Sequence, residues 1–409
     1  MKINYSIKDK FDFLIFIPFI LLITFGLLGI YSSTINHPTA NGNFDRQFLW
    51  AIASLIAFFT LYFLPSQYIK AISIPSYTIS IFLLIIVLVI GKTVYGAKSW
   101  LSFGFFGFQP SEFAKVGLIL YLSDWLSEGN RDINESKTFL KALLIGLIPI
   151  MLIMLEPDMG TTMVFMVIIL FMFFWKGLSL FGIFVVLSPG VVLFASLFGK
   201  FPMFIALTII FLILITFKRN IFTNISIMGA NLAAGFVFDI VYSLLKPHQQ
   251  KRIDTFLNPM ADPLGSGYNA LQAKVAIGSG GIFGKGFMHG NQTQLRFIPK
   301  QWTDFIYCVI GEEFGFIGSV IVIVLFMIIF IRLLNLSRQT KDTFGSLVTI
   351  GAFAMFFTHF AINVGMNLGI TPVVGIPLPF MSYGGSSLFV NSIMMGILLN
   401  FYRNRRLYD

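Results

Sequence analysis

Charge is scarce in this chain: Asp, Glu, Lys and Arg make up 11% of its 409 residues, where soluble domains hold about 25%. There is one cysteine, Cys308, inside an apolar run. It excludes an intrachain disulfide and leaves a thiolate metal site without a second ligand. The four histidines, His37, His248, His289 and His359, are scattered without ligand spacing, which argues against a structural metal. Polar stretches are short except for residues 246–303, so there is no room for a large soluble domain. What is abundant is apolar: 56% of the residues are hydrophobic, arranged in long runs, which places the chain in the polytopic membrane class.

A membrane span needs about 20 apolar residues. By that rule helices are expected near 13–31, 47–64, 72–91, 110–127, 139–155, 160–176, 178–198, 202–217, 224–245, 305–333, 344–369 and 382–402. The first follows basic residues, as a signal peptide would, but it is long enough to span and others follow at once, so it reads as an uncleaved helix. With the N-terminus inside, Lys2, Lys8, Lys10, Lys70, Arg131, Lys137, Lys141, Lys176, Lys218, Arg219, Arg332, Arg338, Lys341, Arg403, Arg405 and Arg406 share the inner face. The short outer loops hold only Arg46, Lys92, Lys98 and Lys200. That is the positive-inside pattern, and it accounts for the formal net charge of +10 without nucleic acid, for which the scattered cations form no continuous patch. Both termini are then cytoplasmic. The fold class expected is an all-α polytopic integral membrane protein: one transmembrane domain over 1–409, with a long extracytoplasmic segment at 246–304.

That long segment carries turn signals at Asn258-Pro259, Asp262-Pro263 and Gly265. A short surface helix is expected in "YNALQAKVAI". The following "GSGGIFGKGF" fails the Walker pattern, because Ser279 stands at the first glycine and Gly286 follows Lys285. Phe283 likewise breaks the dinucleotide pattern. Two readings stay open: turns in an ordered loop, or free backbone N–H groups with Lys285 cradling an anion.

Four further stretches bear chemistry. In "FQPSEFAK", Glu112 and Lys115 sit at i and i+3 on one helix face, either as an interfacial ion pair or lining a cavity; Lys98 and Trp100 precede them in "GAKSWL". In "LEPDMGTT", Glu156 and Asp158 occupy a short outer turn, and Asp158 suits a helix cap. In "RFIPKQWTDF", Asp304 enters a greasy helix beside Trp302 and Phe305, with Arg296 and Lys300 upstream. A helix cap and a functional acid are both consistent with that setting. Glu312 and Glu313, deeper in the same helix, read as structural or cavity-lining. In "TPVVGIPLPFMSYGGSS", three prolines and three glycines suggest a re-entrant turn over a cavity. Its hydroxyls Ser382, Tyr383, Ser386 and Ser387 are candidates for a sugar or phosphate.

Taken together, "GAKSW…FQPSEFAK", "GSGGIFGKGF…RFIPKQWTDFIYCVIGEEFGFIG" and "GIPLPFMSYGGSS" resemble the SEDS family (shape, elongation, division and sporulation), in order along nearly the whole chain. The wording around Asp304 and the short tail look more like the elongation branch than the division branch. The resemblance implies a peptidoglycan glycosyltransferase that polymerises lipid II outside the bacterial cytoplasmic membrane. It implies that Asp304 is the essential acid and that Glu112–Lys115 is the intramembrane pair. It also implies a class B penicillin-binding protein and other elongation-complex membrane proteins as partners. Candidate cations for the pyrophosphate leaving group are Lys98, Lys115, Lys285, Arg296 and Lys300, with a divalent ion such as Mg or Mn as an optional aid whose ligands the sequence does not fix. Trp100, Ser382, Tyr383 and Ser386 complete the substrate-binding candidates. Two departures stand out. The family has ten spans, and the surplus pair here falls between about 178 and 245. Lys98-Ser99 also replaces two cations before the tryptophan. Rival readings are a lipid II flippase, which predicts charges near the bilayer midplane, and a non-catalytic scaffold, which predicts that Asp304 is dispensable.

Overall fold

The computed structural model describes residues 10–94, 97–103, 106–244, 250–251, 254–255 and 267–405. The turn signals from Asn258 to Gly265, and Lys2, Lys8, Arg406 and His248, lie outside them. Within them, helices form where the apolar runs predict. In chain order they are α1 (Phe13–Thr34), α2 (Asn43–Phe63), a short α3 (Ser66–Ala71), α4 (Ser73–Ile90), α5 (Pro110–Ser127), α6 (Ser136–Leu155) and α7 (Met159–Trp175). Then come α8 (Leu180–Ser196), α9 (Lys200–Thr216) and α10 (Ile221–Leu244). The second half holds α11 (Tyr268–Ser279), α12 (Asn291–Gln294), α13 (Ile306–Glu313), α14 (Gly315–Gln339), α15 (Thr343–Leu368) and α16 (Gly385–Asn404). Seven of these are long and apolar enough to cross a membrane, and α7 to α10 are shorter apolar helices. The chain is an all-α membrane bundle.

The ends of the helices follow their local chemistry. Pro110 opens α5, where its missing N–H costs nothing. Asp158 caps α7 and Asp342 caps α15, each accepting backbone N–H bonds from the first turn. Asp12 caps α1 and also pairs with Arg332 near the end of α14, which ties the first helix to the second half.

Three short strands were not expected. β1 (Lys92–Val94), β2 (Ala97–Phe103) and β3 (Phe106–Phe108) form an antiparallel sheet, with Lys92 opposite Trp100 and Leu101 opposite Phe108. β1 and β3, at three residues each, are too short for a period-two pattern to register in sequence.

Burial locates the centre of the bundle. The membrane-length windows of α15 and α16 are 83% and 78% buried, against 22% for α4. α16 packs on α2, and α15 packs on α5, α7 and α14. By contrast α8, α9 and α10 pack chiefly on one another around Val192, Met203, Leu207, Ile210 and Leu214.

The expected single helix over 305–333 is instead broken. α13 ends at Glu313 and α14 starts at Gly315, whose φ is +68°. The glycine-rich loop fills the break. Lys285 and Gly286 donate their backbone N–H groups to the carbonyls of Glu312 and Glu313 at 3.0 Å each, and Phe316 N donates to Gly281 O at 2.9 Å. These contacts satisfy carbonyls that a helix end would otherwise leave bare. Gly284 (φ +82°) is needed for the close approach: a Cβ there would lie 2.1 Å from Glu313 O. The anion-cradle reading of this loop is therefore overturned for those two N–H groups, which serve the helix break.

Candidate active site

Two helices and one irregular segment build the site. α5 contributes the ion pair. Lys115 Nζ lies 2.8 Å from Glu112 Oε1, with Lys115 wholly buried. It also lies 2.8 Å from His359 Nε2 on α15. An ammonium only donates, so Nε2 accepts. The ring hydrogen is then on Nδ1, which donates to Pro377 O at 3.1 Å. The expected pair is thus a triad that reaches the 370–384 segment.

The same segment holds Asp304. Asn363 and Asn367 Nδ2 donate to the backbone carbonyl of Asp304 at 2.9 and 3.1 Å, and Asn363 also donates to Ile376 O at 2.7 Å. Ser382 Oγ donates to Thr303 O at 2.6 Å and accepts from Leu378 N at 2.8 Å. Tyr383 N donates to Trp302 O at 2.8 Å. The Asp304 carboxylate is half-buried and faces Gly375, where a Cβ would come within 3.3 Å of its Oδ2. The N-cap of α13 is Phe305, so Asp304 stands one residue before the cap position. Below it, Phe305 and Cys308 pack with Ala273 and Ala276 of α11, the expected short helix.

The other candidate cations are placed variously. Lys98 Nζ donates to Leu88 O and Val89 O at 2.8 Å each, meeting the last carbonyls of α4. Lys285 pairs with buried Glu312 at 2.9 Å. Glu312 also accepts from Gln292 N and from Thr293 N and Oγ1, so it organises the loop upstream of Asp304. Arg296 reaches the carbonyl of Asn36, and Lys300 is exposed. Both have positive φ, +62° and +53°, a conformation uncommon outside glycine. Trp100 is partly buried against Gly107. Ser386 is buried at the start of α16, and Tyr383 is partly exposed. Among the described residues there is no group of three or more His, Cys, Asp or Glu fit to hold a metal ion.

His359, Asn363 and Asn367 were missed in sequence. Their signal is present: polar residues at i, i+4 and i+8 on a greasy helix share one face, and such residues in a membrane helix point inward.

The Glu156–Asp158 turn borders the same segment, since a Cβ on Gly160 would meet Ile376 and Val374. Asp158 accepts from Gln109 Nε2 at 3.0 Å, as well as capping α7. Glu156 is fully buried with neither carboxylate oxygen hydrogen-bonded. Burial, and secondarily Asp158, push its pKa from 4.5 to about 8. Between those values the folded chain keeps a proton that the unfolded chain has lost. The stability this group contributes is complete below pH 4.5 and drains away as pH rises to about 8. Glu156→Gln should flatten the fall of the thermal midpoint over that range; a variant with the wild-type pH slope would refute this assignment.

Fold and site define an integral membrane helix bundle in which a buried ion pair and a half-buried acid are held by one irregular segment. The model of the FtsW, RodA and SpoVE cell cycle proteins matches residues 12–203 and 181–407, and the chain belongs to that family, the SEDS proteins. It is 36% identical to the peptidoglycan glycosyltransferase RodA of Treponema pallidum (strain Nichols), over 96% of this chain and 97% of that one. It is 32% identical to the peptidoglycan glycosyltransferase MrdB of Escherichia coli K12, over 95% and 94%. A chain from a structure on the coordination of polymerization and crosslinking by a peptidoglycan synthase complex superposes with a TM-score of 0.75 at 26% identity, covering 97% of this chain and 98% of that one. The two matched stretches of the family model overlap within α8 and the start of α9, the region where the sequence reading places the surplus helices.

Proposed function

We propose that this chain is a peptidoglycan glycosyltransferase that polymerises lipid II at the outer face of the cytoplasmic membrane, in the elongation branch of its family. The supporting observation is the way the α15 asparagines and the 370–384 segment clamp the backbone on both sides of Asp304. Such a clamp fixes the backbone that carries the carboxylate. The reaction joins the 4-hydroxyl of one sugar to the anomeric carbon of a lipid-linked sugar; the C–O bond to the polyprenyl pyrophosphate breaks and the hydroxyl proton leaves. A hydroxyl is a poor nucleophile, and a positioned base accelerates such a step by roughly 10²–10⁴-fold. Asp304 takes that proton. Lys115, oriented by Glu112 and His359, supplies the fixed positive potential under the 370–384 segment that favours the departing anion. Arg296 and Lys300 stand on the approach, while Lys98 and Lys285 position β2 and the loop before Asp304.

The reading carries a topology: twelve crossings, both termini inside, and residues 246–304 outside. It also carries a partner, a class B penicillin-binding protein acting as transpeptidase on the strands made here. Purified chain incubated with lipid II should give a glycan ladder on a gel. Movement of labelled lipid II across proteoliposomes with no ladder would instead favour the flippase reading. Inert protein, with and without the partner and Mg or Mn, would favour a scaffold.

A further inference from the structure

The cations that mark the cytoplasmic loops in sequence do more than set topology. Lys70 and Lys341 are 271 residues apart in the chain, and Arg405 is in the tail. All three line one cavity of about 520 Å³ at the end of the bundle where α3, the start of α4 and the α14–α15 connection meet the end of α16. Ser66, Gln67, Ser73 and Asn404 add neutral polar groups, and Ile74, Phe344 and Phe401 add apolar wall.

Two carboxylates also line it, and both have structural work. Asp124 accepts from Ser73 Oγ at 2.7 Å and meets Lys70 only at 3.7 Å. Asp342 caps α15 through Phe344 N and Gly345 N. With three cations against these two carboxylates, the lining carries a formal excess of one positive charge. Lys70 is half-exposed, and its ammonium lies 5.9 Å from the centre of the Phe344 ring. Arg405 is anchored by its Nη1 on Tyr402 O at 2.6 Å. Lys341 is exposed on the short α14–α15 connection. One side of the cavity is bounded by Ile74, 56% exposed, in the first turn of a membrane-length helix. The cavity thus has a cationic, hydroxyl-rich interior and a wall continuous with the surface that faces lipid tails.

We infer that this cavity binds a phosphate monoanion of the phosphodiester class, and that its source is the headgroup of an anionic phospholipid of the cytoplasmic leaflet. Cations close to an anionic leaflet are each attracted to it. A pocket that gathers three of them with polar groups holds the headgroup, while Ile74 and its neighbours accept the first methylenes of the chain. The site is on the face opposite to Asp304 in the proposed topology, and it is independent of the polymerisation chemistry.

The test uses the full chain purified in an uncharged detergent. Native mass spectrometry counts retained lipid, and thermal unfolding follows titration with phosphatidylglycerol, phosphatidylcholine or inorganic phosphate. Phosphatidylglycerol should be retained and should raise the midpoint; phosphatidylcholine should do neither. The triple variant Lys70→Gln, Lys341→Gln, Arg405→Gln should weaken retention at least tenfold. If that variant fails to fold, the single change at exposed Lys341 decides, with a several-fold loss expected. Lys137→Gln with Lys141→Gln, exposed on the same face but outside the cavity, should leave binding unchanged. An equal loss in that control, or equal binding of the two lipids, overturns the proposal. Inorganic phosphate matching phosphatidylglycerol would overturn the lipid source and leave a soluble phosphate site.

Discussion

Asp304→Ala protein, correctly inserted and folded, is expected to form no detectable glycan ladder from purified lipid II under conditions where wild type does. The loss is that of a general base, roughly 10²–10⁴-fold in rate. The fold should tolerate the change for a specific reason. Asn363 and Asn367 hold the backbone carbonyl of Asp304, and Ser382 holds that of Thr303; no side-chain substitution at 304 removes those acceptors. Asp304→Asn should be equally inactive, because it keeps the shape and discards only the proton acceptor. Folded Ala and Asn variants that still polymerise lipid II would remove Asp304 from the mechanism.

Lys115→Met should be nearly as damaging but for two separable reasons. It leaves the Glu112 carboxylate buried without its cation and His359 Nε2 without its donor. Breaking one partner of a buried pair costs about 3–5 kcal/mol, so this variant should express poorly and melt early. Adding Glu112→Gln discharges the stranded partner, and neutral replacement of a buried pair is often close to neutral in stability. The double variant should therefore recover its thermal midpoint while polymerisation stays low. Recovery of both would make the pair structural only.

The sequence carried the parts of this account that local spacing encodes. Apolar run length located the helices, and Pro110 and Asp158 mark starts that the structure reproduces. The i, i+3 spacing of Glu112 and Lys115 put them on one face, where they pair. Contacts that join distant segments were not legible. Nothing near Lys115 points to His359, 244 residues on, and nothing near Asp304 points to the two asparagines that clamp it. The break at Gly315 was also hidden. The apolar run continues through it, and only the partner loop at Gly281–Gly286 supplies the hydrogen bonds that make a broken helix affordable. The partners of Lys98 were hidden as well: the sequence shows a lone cation before a tryptophan, and only the fold shows its ammonium meeting the carbonyls that end α4.

Everything in the proposed chemistry depends on which side of the bilayer Asp304 opens to. Cys308 is the single native thiol and is buried, so Asp304→Cys introduces one reactive position at the site itself. In intact cells, a membrane-impermeant maleimide added outside should label this variant and leave wild type unlabelled. Labelling only after the cytoplasmic face is exposed, in inverted vesicles, would contradict an extracytoplasmic polymerase site.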